Sequence, residues 1–357
     1  MRTPPARPVV TSMTGYTPGE QPKPGERVIK LNTNENPFGP SPRVLEAIRG
    51  VEPEWLRRYP PPMSDRFREV AGRLHGVPPE WILAGNGSDD ILQIALRTFC
   101  GPGDALAAPE PTYSLYPVLA RLADVRMVAV PWGPGWTLPI DALLEGEPRA
   151  IFFANPNAPS GTVVTQGEVE ALARWASGLV LVDEAYADFA DGNCLDLVKR
   201  CGNVLVARTL SKGYGLAGLR FGYAVGDPAV IAQMTKVKDS YNCDAVAITA
   251  ACAALDDQEY ARRTWMYVRE ERGVLAAALS SRGFTVVPSQ ANFLFVTTPA
   301  SRPAKPIYTS LKRDGVLVRY FDVPGLEDKL RISVGTREQH AAFLTALDRA
   351  LVAPVAS

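Results

Sequence analysis

Three short apolar runs, AIFFA (150–154), LVLV (179–182) and VLVA (204–207), are separated by amphipathic segments, and this alternation constrains the 357-residue chain more than any other feature of it. The runs are short, partly β-branched and bounded by turn residues, as buried strands are. Segments 165–176 and 194–201 between them can be helical. Repeated strand–helix–strand units bury a mainly parallel sheet beneath flanking helices, so the expected class is α/β. Asn155, Asp183 and Arg208 each sit just past such a run, at intervals of 28 and 25 residues, about one strand–helix repeat. They should gather at the carboxyl edge of neighbouring strands, where open α/β sheets receive their ligands.

Around this centre the chain divides into three parts. Residues 1–40 are rich in Pro, Gly and Asn with little apolar periodicity, and read as an extended arm packing on the small domain and active site. Residues 41–265 form the expected large domain, with regular structure beginning near Val44. A long helical stretch is expected from about 228 to 280. Residues 266–357 then form a smaller α/β domain, with strands at 284–287, 292–297, 316–319 and 330–334 and a last helix near 337–351.

Charge excludes some partners. Lys plus Arg and Asp plus Glu both number 38, so no overall field draws nucleic acid or an anionic membrane. An anionic ligand must be met by a local set of donors. Five cysteines without CxxC spacing and two histidines in all argue against a metal site and suggest free thiols in a reducing compartment. The N-terminus lacks an apolar signal region and no stretch is long enough to span a bilayer, so a cytoplasmic, soluble protein is expected.

Four motifs carry chemistry. In GNGSDD (85–90) a glycine-rich turn opens a helix, with Ser88 expected at the N-cap; the backbone amides of Gly87, Ser88 and Asp89 could hold a phosphate. In VDEAYADF (182–189) Asp183 ends a buried strand and Tyr186 follows three residues later. A carboxylate buried there needs a partner, for which a protonated ring nitrogen would serve. In TLSKGYGLAGLR (209–220) Lys212 stands among three glycines, in sequence suited to a tight loop, with Thr209, Ser211 and Arg220 able to converge on a phosphate. A basic surface loop would leave Leu210, Leu216, Leu219 and Phe221 exposed. In LRISVGTREQ (330–339) Arg331 opens an apolar run; it could be an edge charge or a clamp on a carboxylate.

Together these motifs match one layout. TLSKGYGLAGLR resembles the lysine segment of the aspartate-aminotransferase-like, fold type I pyridoxal-phosphate enzymes. NPNAPSG (155–161), VDEAYADF, GNGSDD and PTYSLYP (111–117) resemble that family's ring turn, acid strand end, phosphate helix and stacking aromatic. The order and spacing agree over essentially the whole chain. YTPGEQP (16–22), LNTNENPFGPSP (31–42), RRYPPP (57–62), PSQANFLFV (288–296) and GVLVRYF (315–321) are similar to histidinol-phosphate aminotransferases in particular.

The resemblance implies a fold type I structure, pyridoxal 5'-phosphate held covalently on Lys212, and transamination between histidinol phosphate and 2-oxoglutarate in histidine biosynthesis. It implies that Lys212 also moves the proton, that Asp183 keeps the ring nitrogen protonated, and that Tyr186 bonds the ring oxygen. Tyr113 stacks on the ring; the amides at 87–89, Thr209, Ser211 and Arg220 hold the phosphate. Tyr59 reaches that phosphate from the other subunit of a homodimer. Asn36, Arg319, Arg331 and Tyr16 are the substrate-binding candidates. One position departs from the family: Ala158 stands where Asn is usual, leaving Asn157 or Tyr186 to meet the ring oxygen.

The nearest alternatives share the cofactor: an aromatic-amino-acid aminotransferase, or a decarboxylase acting on a phospho-amino acid such as threonine phosphate. A non-catalytic regulator would carry a DNA-binding domain ahead of this fold. A nicotinamide dehydrogenase would want GxGxxG at 85–90 and would leave Lys212 without a role.

Overall fold

A computed structural model describes residues 3–23 and 25–352. Its strands, in chain order, are β1 (Ile29–Lys30), β2 (Ile82–Gly85), β3 (Ala105–Glu110), β4 (Arg126–Pro131), β5 (Ala150–Ala154), β6 (Leu179–Asp183), β7 (Val204–Thr209), β8 (Gly222–Gly226), β9 (Thr285–Val286), β10 (Phe293–Thr297), β11 (Val316–Leu317), β12 (Arg319–Tyr320) and β13 (Lys329–Ser333). Seven build the main sheet in the order β2-β8-β7-β6-β5-β3-β4. Its pairs are parallel except those made by β8, which runs antiparallel to β2 and β7. The expected α/β architecture, with a mainly parallel sheet, is the one observed.

Both faces of this sheet are covered, which is why its strands read as unbroken apolar runs. Side chains alternate between faces along each strand. In β5, Ile151 and Phe153 join one apolar cluster, while Ala150 and Phe152 join the cluster on the other side. The covering helices are capped where the sequence changes character. Thr165 and Glu168 form a reciprocal capping box at the start of the helix Gln166–Trp175, a device worth about 1 kcal/mol.

The helical stretch expected over 228–280 is three helices: Pro228–Thr235, Ala245–Asp256 and Gln258–Ser280. Asp244 and Asp257 mark the two breaks and Asp227 caps the first helix, each accepting a hydrogen bond from an amide in the first turn that follows. Aspartate favours this capping position over a helix interior. Segment 194–201 contains only a short 3-10 helix, Leu195–Lys199. Ser88 is not the cap of its helix. Gly87, at φ 91°, takes that place and Ser88 is the first helical residue, because a glycine reaches positive φ without strain.

A second, antiparallel sheet follows, in the order β12-β13-β10-β9. Ile307, Leu311, Phe343 and Leu347 from its two helices cover it. The helix Gln258–Ser280 runs unbroken past residue 265: Trp265 packs against the main-sheet cluster, while Leu275 and Leu279 belong to the small-sheet cluster. The arm is not wholly extended. It contains the helix Pro8–Ser12, and β1 pairs in parallel with β11 as a separate two-stranded sheet. Among the described residues no helix is long and apolar enough to cross a membrane. The five cysteines are free thiols, four of them buried.

Candidate active site

The site assembles at the carboxyl edge of the main sheet. Ala154, Asp183 and Ala207 lie in register across β5, β6 and β7, and Gly85, Gly222 and Thr209 do so across β2, β8 and β7. The segments leaving these strand ends carry residues 86–89, 113, 155–158, 183–186 and 209–212. Asn155 and Asp183 meet there as the spacing predicted. Asn155, however, closes its own turn, donating to Val164 O and accepting from Val164 N. Arg208 remains inside β7, and its guanidinium is buried between Glu184 (2.9 Å) and Asp188 (3.0 Å). This ion triad supports the lysine loop from below: a Cβ on Gly213 would lie 2.0 Å from Asp188 Oδ2.

Lys212 is half-buried, its Nζ donating to Thr33 O at 2.9 Å and lying 5.9 Å from the Tyr186 ring centre. Burial, with the positive charge of Arg331 next in importance, lowers its ammonium from 10.5 to about 8. Asp183 is 3% exposed. Tyr116 Oη donates to its Oδ2 and Ala185 N to its Oδ1, both at 3.1 Å. Burial pushes its carboxyl up to about 7, and the Tyr116 bond partly opposes that rise. The Tyr186 phenol is likewise raised by burial; its oxygen accepts from Asn34 Nδ2 at 3.0 Å, and its ring meets Phe293 edge-on at 5.0 Å.

Beside these groups is a cradle of donors. The first amides of the helix Ser88–Phe99 have no acceptor within the helix. Arg220, itself at φ 56°, donates through Nη1 to Ser211 Oγ at 3.2 Å and holds Nη2 3.6 Å from the Asp89 carboxylate. Thr209 Oγ1 donates to Ser211 Oγ at 2.9 Å and so orients it. A Cβ on Gly87 would come within 2.7 Å of the Arg220 guanidinium, and one on Gly222 within 2.5 Å of Ser88 N. Two glycines thus keep open a space ringed by amide, hydroxyl and guanidinium donors. That donor set fits a phosphate ester.

Tyr113 donates to Asp89 Oδ1 at 3.2 Å and stands edge-on to both Tyr116 (5.7 Å) and Tyr16 (6.0 Å). Arg331 lies in register between Arg319 on β12 and Phe295 on β10. Its guanidinium is 5.2 Å from the Phe293 ring centre and donates to Asn32 O at 3.1 Å, while its buried Nε has no partner among the described residues. Two guanidinium-bearing residues side by side on one face are costly by themselves and favourable around an anion.

Two expected contacts, those of Asn36 and Asn157, come out differently. Asn36 turns away from the substrate side: its Nδ2 donates to the carbonyls of Lys212 and Gly213 at 3.1 Å, and its Oδ1 accepts from Phe38 N. It braces the lysine loop. Asn157 donates through Nδ2 to Pro111 O and Ser160 Oγ, which leaves only its buried Oδ1, without a partner among the described residues. It therefore has no donor for a ring oxygen. Tyr59 lies on the surface, 80% exposed and stacked on Tyr241 at 4.4 Å.

Tyr116, Asn32, Thr33 and Asn34 belong to the site and were not singled out from the sequence. Tyr116 sits in PTYSLYP, and spacing alone did not separate it from Tyr113. The asparagines lie in an irregular segment, where no periodicity tells which side chain faces inward.

A model of the family "Aminotransferase class I and II" matches residues 26–347. "Histidinol-phosphate aminotransferase 1" of Trichormus variabilis is 46% identical, over 95% of this chain and 96% of that protein. "Histidinol-phosphate aminotransferase" of Rhodopirellula baltica is also 46% identical, over 97% of this chain and 95% of that one. The crystal structure of histidinol-phosphate aminotransferase from Sinorhizobium meliloti in complex with pyridoxal-5'-phosphate superposes with a TM-score of 0.88, at 27% identity over 96% of both chains.

Proposed function

Since this chain belongs to the class I and II aminotransferase family, we propose that it is a pyridoxal 5'-phosphate-dependent transaminase of histidine biosynthesis, acting in the cytoplasm. It moves an amino group from histidinol phosphate to 2-oxoglutarate, giving imidazole acetol phosphate and glutamate. The observation that carries the reading is Lys212, an amine lowered to about 8 by burial, set beside Tyr186 and reaching into a site that also holds Asp183 and the donor cradle.

When bound, the cofactor supplies an electron sink for charge developing on the substrate carbon. The side chains supply the rest. Lys212 Nζ would hold the cofactor and serve as the amine that moves a proton at the site, a task suited to a group whose ammonium burial has lowered to about 8. Asp183 is costly to ionise where it is, and a protonated ring nitrogen beside it offsets that cost. Tyr186 Oη donates to the ring oxygen. Tyr113 covers the ring face, worth about 0.5–1.5 kcal/mol beyond burial. The amides of Ser88 and Asp89, with Ser211 and Arg220, would hold the cofactor phosphate, the Gly87 N–H being taken by Gly85 O at 2.9 Å. Arg331 and Arg319, with Tyr16 closing over Tyr113, grip the substrate phosphate or the donor carboxylate.

The enzyme works as a homodimer, with Tyr59 reaching the cofactor phosphate of the neighbouring subunit. Tyr59, Trp55, Leu56 and Tyr241 are all exposed, an apolar surface of the kind a second copy covers.

The test is to add histidinol phosphate to the cofactor-loaded enzyme and follow its visible absorbance. A rapid change reversed by 2-oxoglutarate is expected. A response to aromatic amino acids with none to histidinol phosphate would replace this substrate assignment, and released carbon dioxide would mark a decarboxylase.

A further inference from the structure

Asn34 is 1% exposed and sits at φ 56°, a left-handed conformation that asparagine tolerates better than most residues. Its backbone N–H donates to Ser333 Oγ at 2.9 Å, and its carbonyl accepts from Asn292 Nδ2 at 2.8 Å. An amide N–H can only donate, so the Ser333 oxygen accepts there. The serine's own proton goes to Asn34 Oδ1, 3.1 Å away. This fixes Oδ1 as the accepting end of the side chain and Nδ2 as its donating end. Nδ2 faces Tyr186 Oη at 3.0 Å. The phenol oxygen therefore accepts from Asn34, and its own proton is left to be given elsewhere.

The neighbouring turn makes this arrangement consequential. Ala158 has no polar side chain, and the Asn157 donor is used on Pro111 O and Ser160 Oγ. Resting on the function stated above, we propose that Asn34 is a positioning residue that aims and strengthens the Tyr186 hydroxyl as donor to the cofactor's ring oxygen, a contact for which position 158 supplies no side chain. A hydrogen bond received by a hydroxyl polarises it and improves its own donation. The relay Ser333–Asn34–Tyr186 also joins β13, which carries Arg331, to the ring site. The titratable and charged groups facing Tyr186 are Lys212 from the loop after β7, Arg331 from β13, Asp183 from β6, Tyr113 from the segment after β3 and Tyr16 from the arm. All are retained in the variants below.

The experiment is an absorbance titration of the cofactor-loaded enzyme without substrate. The ring oxygen shares a proton with the nitrogen that Lys212 contributes. Weaker donation to that oxygen leaves more charge on it and holds the proton to higher pH. In Asn34→Ala the spectral midpoint should rise by about half to one pH unit, the scale of one net hydrogen bond. Ser333→Ala releases the amide's orientation and should move the midpoint the same way, by less. Adding Ala158→Asn to Asn34→Ala should bring it back toward the parent value. An unchanged midpoint in both single variants, beside a raised one in Tyr186→Phe, overturns the role of Asn34 and leaves the enzyme reading intact. If Asn34→Ala does not fold, Ser333→Ala decides. Borohydride failing to fix the cofactor on the parent enzyme overturns the underlying reading instead.

Discussion

The Tyr116 hydroxyl donates to Asp183 Oδ2 at 3.1 Å, and both side chains are sealed from solvent. A neutral donor of this kind steadies the carboxylate without cancelling its charge. Burial therefore still dominates, and the Asp183 carboxyl rises to about 7. The group is poised between protonation states until a cation sits beside it.

That poise predicts a pH-dependent cost to stability. The folded pKa of Asp183, about 7, lies above its ordinary value of 3.8. Between these values the folded protein holds a proton that the unfolded chain has lost, so stability falls as pH rises through that window. Asp183→Asn removes the penalty. Thermal melting of cofactor-free protein should show the variant gaining on the parent from about pH 4 to about pH 7, and keeping the gain above it. In turnover the same variant should lose far more kcat than substrate affinity.

Lys212→Ala should abolish turnover and borohydride fixation while the cofactor still binds non-covalently, because the phosphate cradle is untouched. Mass spectrometry after borohydride treatment reads this directly. In the cofactor-free parent protein, reductive methylation of Lys212 should rise with pH through about 8, well below the range of exposed lysines.

Gly87→Ala brings a side chain to a position at φ 91°, with its Cβ 2.7 Å from the Arg220 guanidinium. Both effects act against the native state. A stability loss of about 1 kcal/mol or more is expected, with a larger fall in cofactor affinity than in substrate affinity. Equilibrium dialysis and denaturant unfolding separate the two.

Arg319→Ala and Arg331→Ala should each raise the KM for histidinol phosphate roughly 10- to 100-fold, the scale of lost bonds to a charged group at about 1.5–3 kcal/mol. Arg331→Lys should not restore it, since a planar fork lying near the Phe293 ring is not reproduced by an ammonium. Steady-state kinetics with both substrates tests the pair.

Much of this was legible before the structure. The three apolar runs gave the central strands, and the spacing of Asn155 and Asp183 placed them on one sheet edge. Lys212, Tyr186, Ser211 and Arg220 were identified because short motifs carry both a backbone shape and a chemistry. The failures share a cause. Asn36, Asn157 and Asn34 all lie in irregular loops where either end of an amide can bond, so the sequence does not say which partner it takes. Ser333 and Tyr116 act through residues far away in the chain, and no local pattern records that. The breaks in the 228–280 stretch were written in the sequence as Asp244 and Asp257, but an aspartate also reads as a polar residue on an exposed helix face.

The helix Gln258–Ser280 anchors Trp265 in one apolar cluster and Leu279 in another, about 21 Å apart at 1.5 Å per residue. No flexible joint interrupts this rod. The smaller lobe cannot swing freely over the larger: any closing movement must bend the rod or slide its packed flanks. A slight tilt at the Trp265 end becomes a larger displacement at the far end, beside the small sheet that carries Arg331. Severing the chain near 265 would strip both clusters of their shared support, so the two halves should not survive as separate soluble pieces.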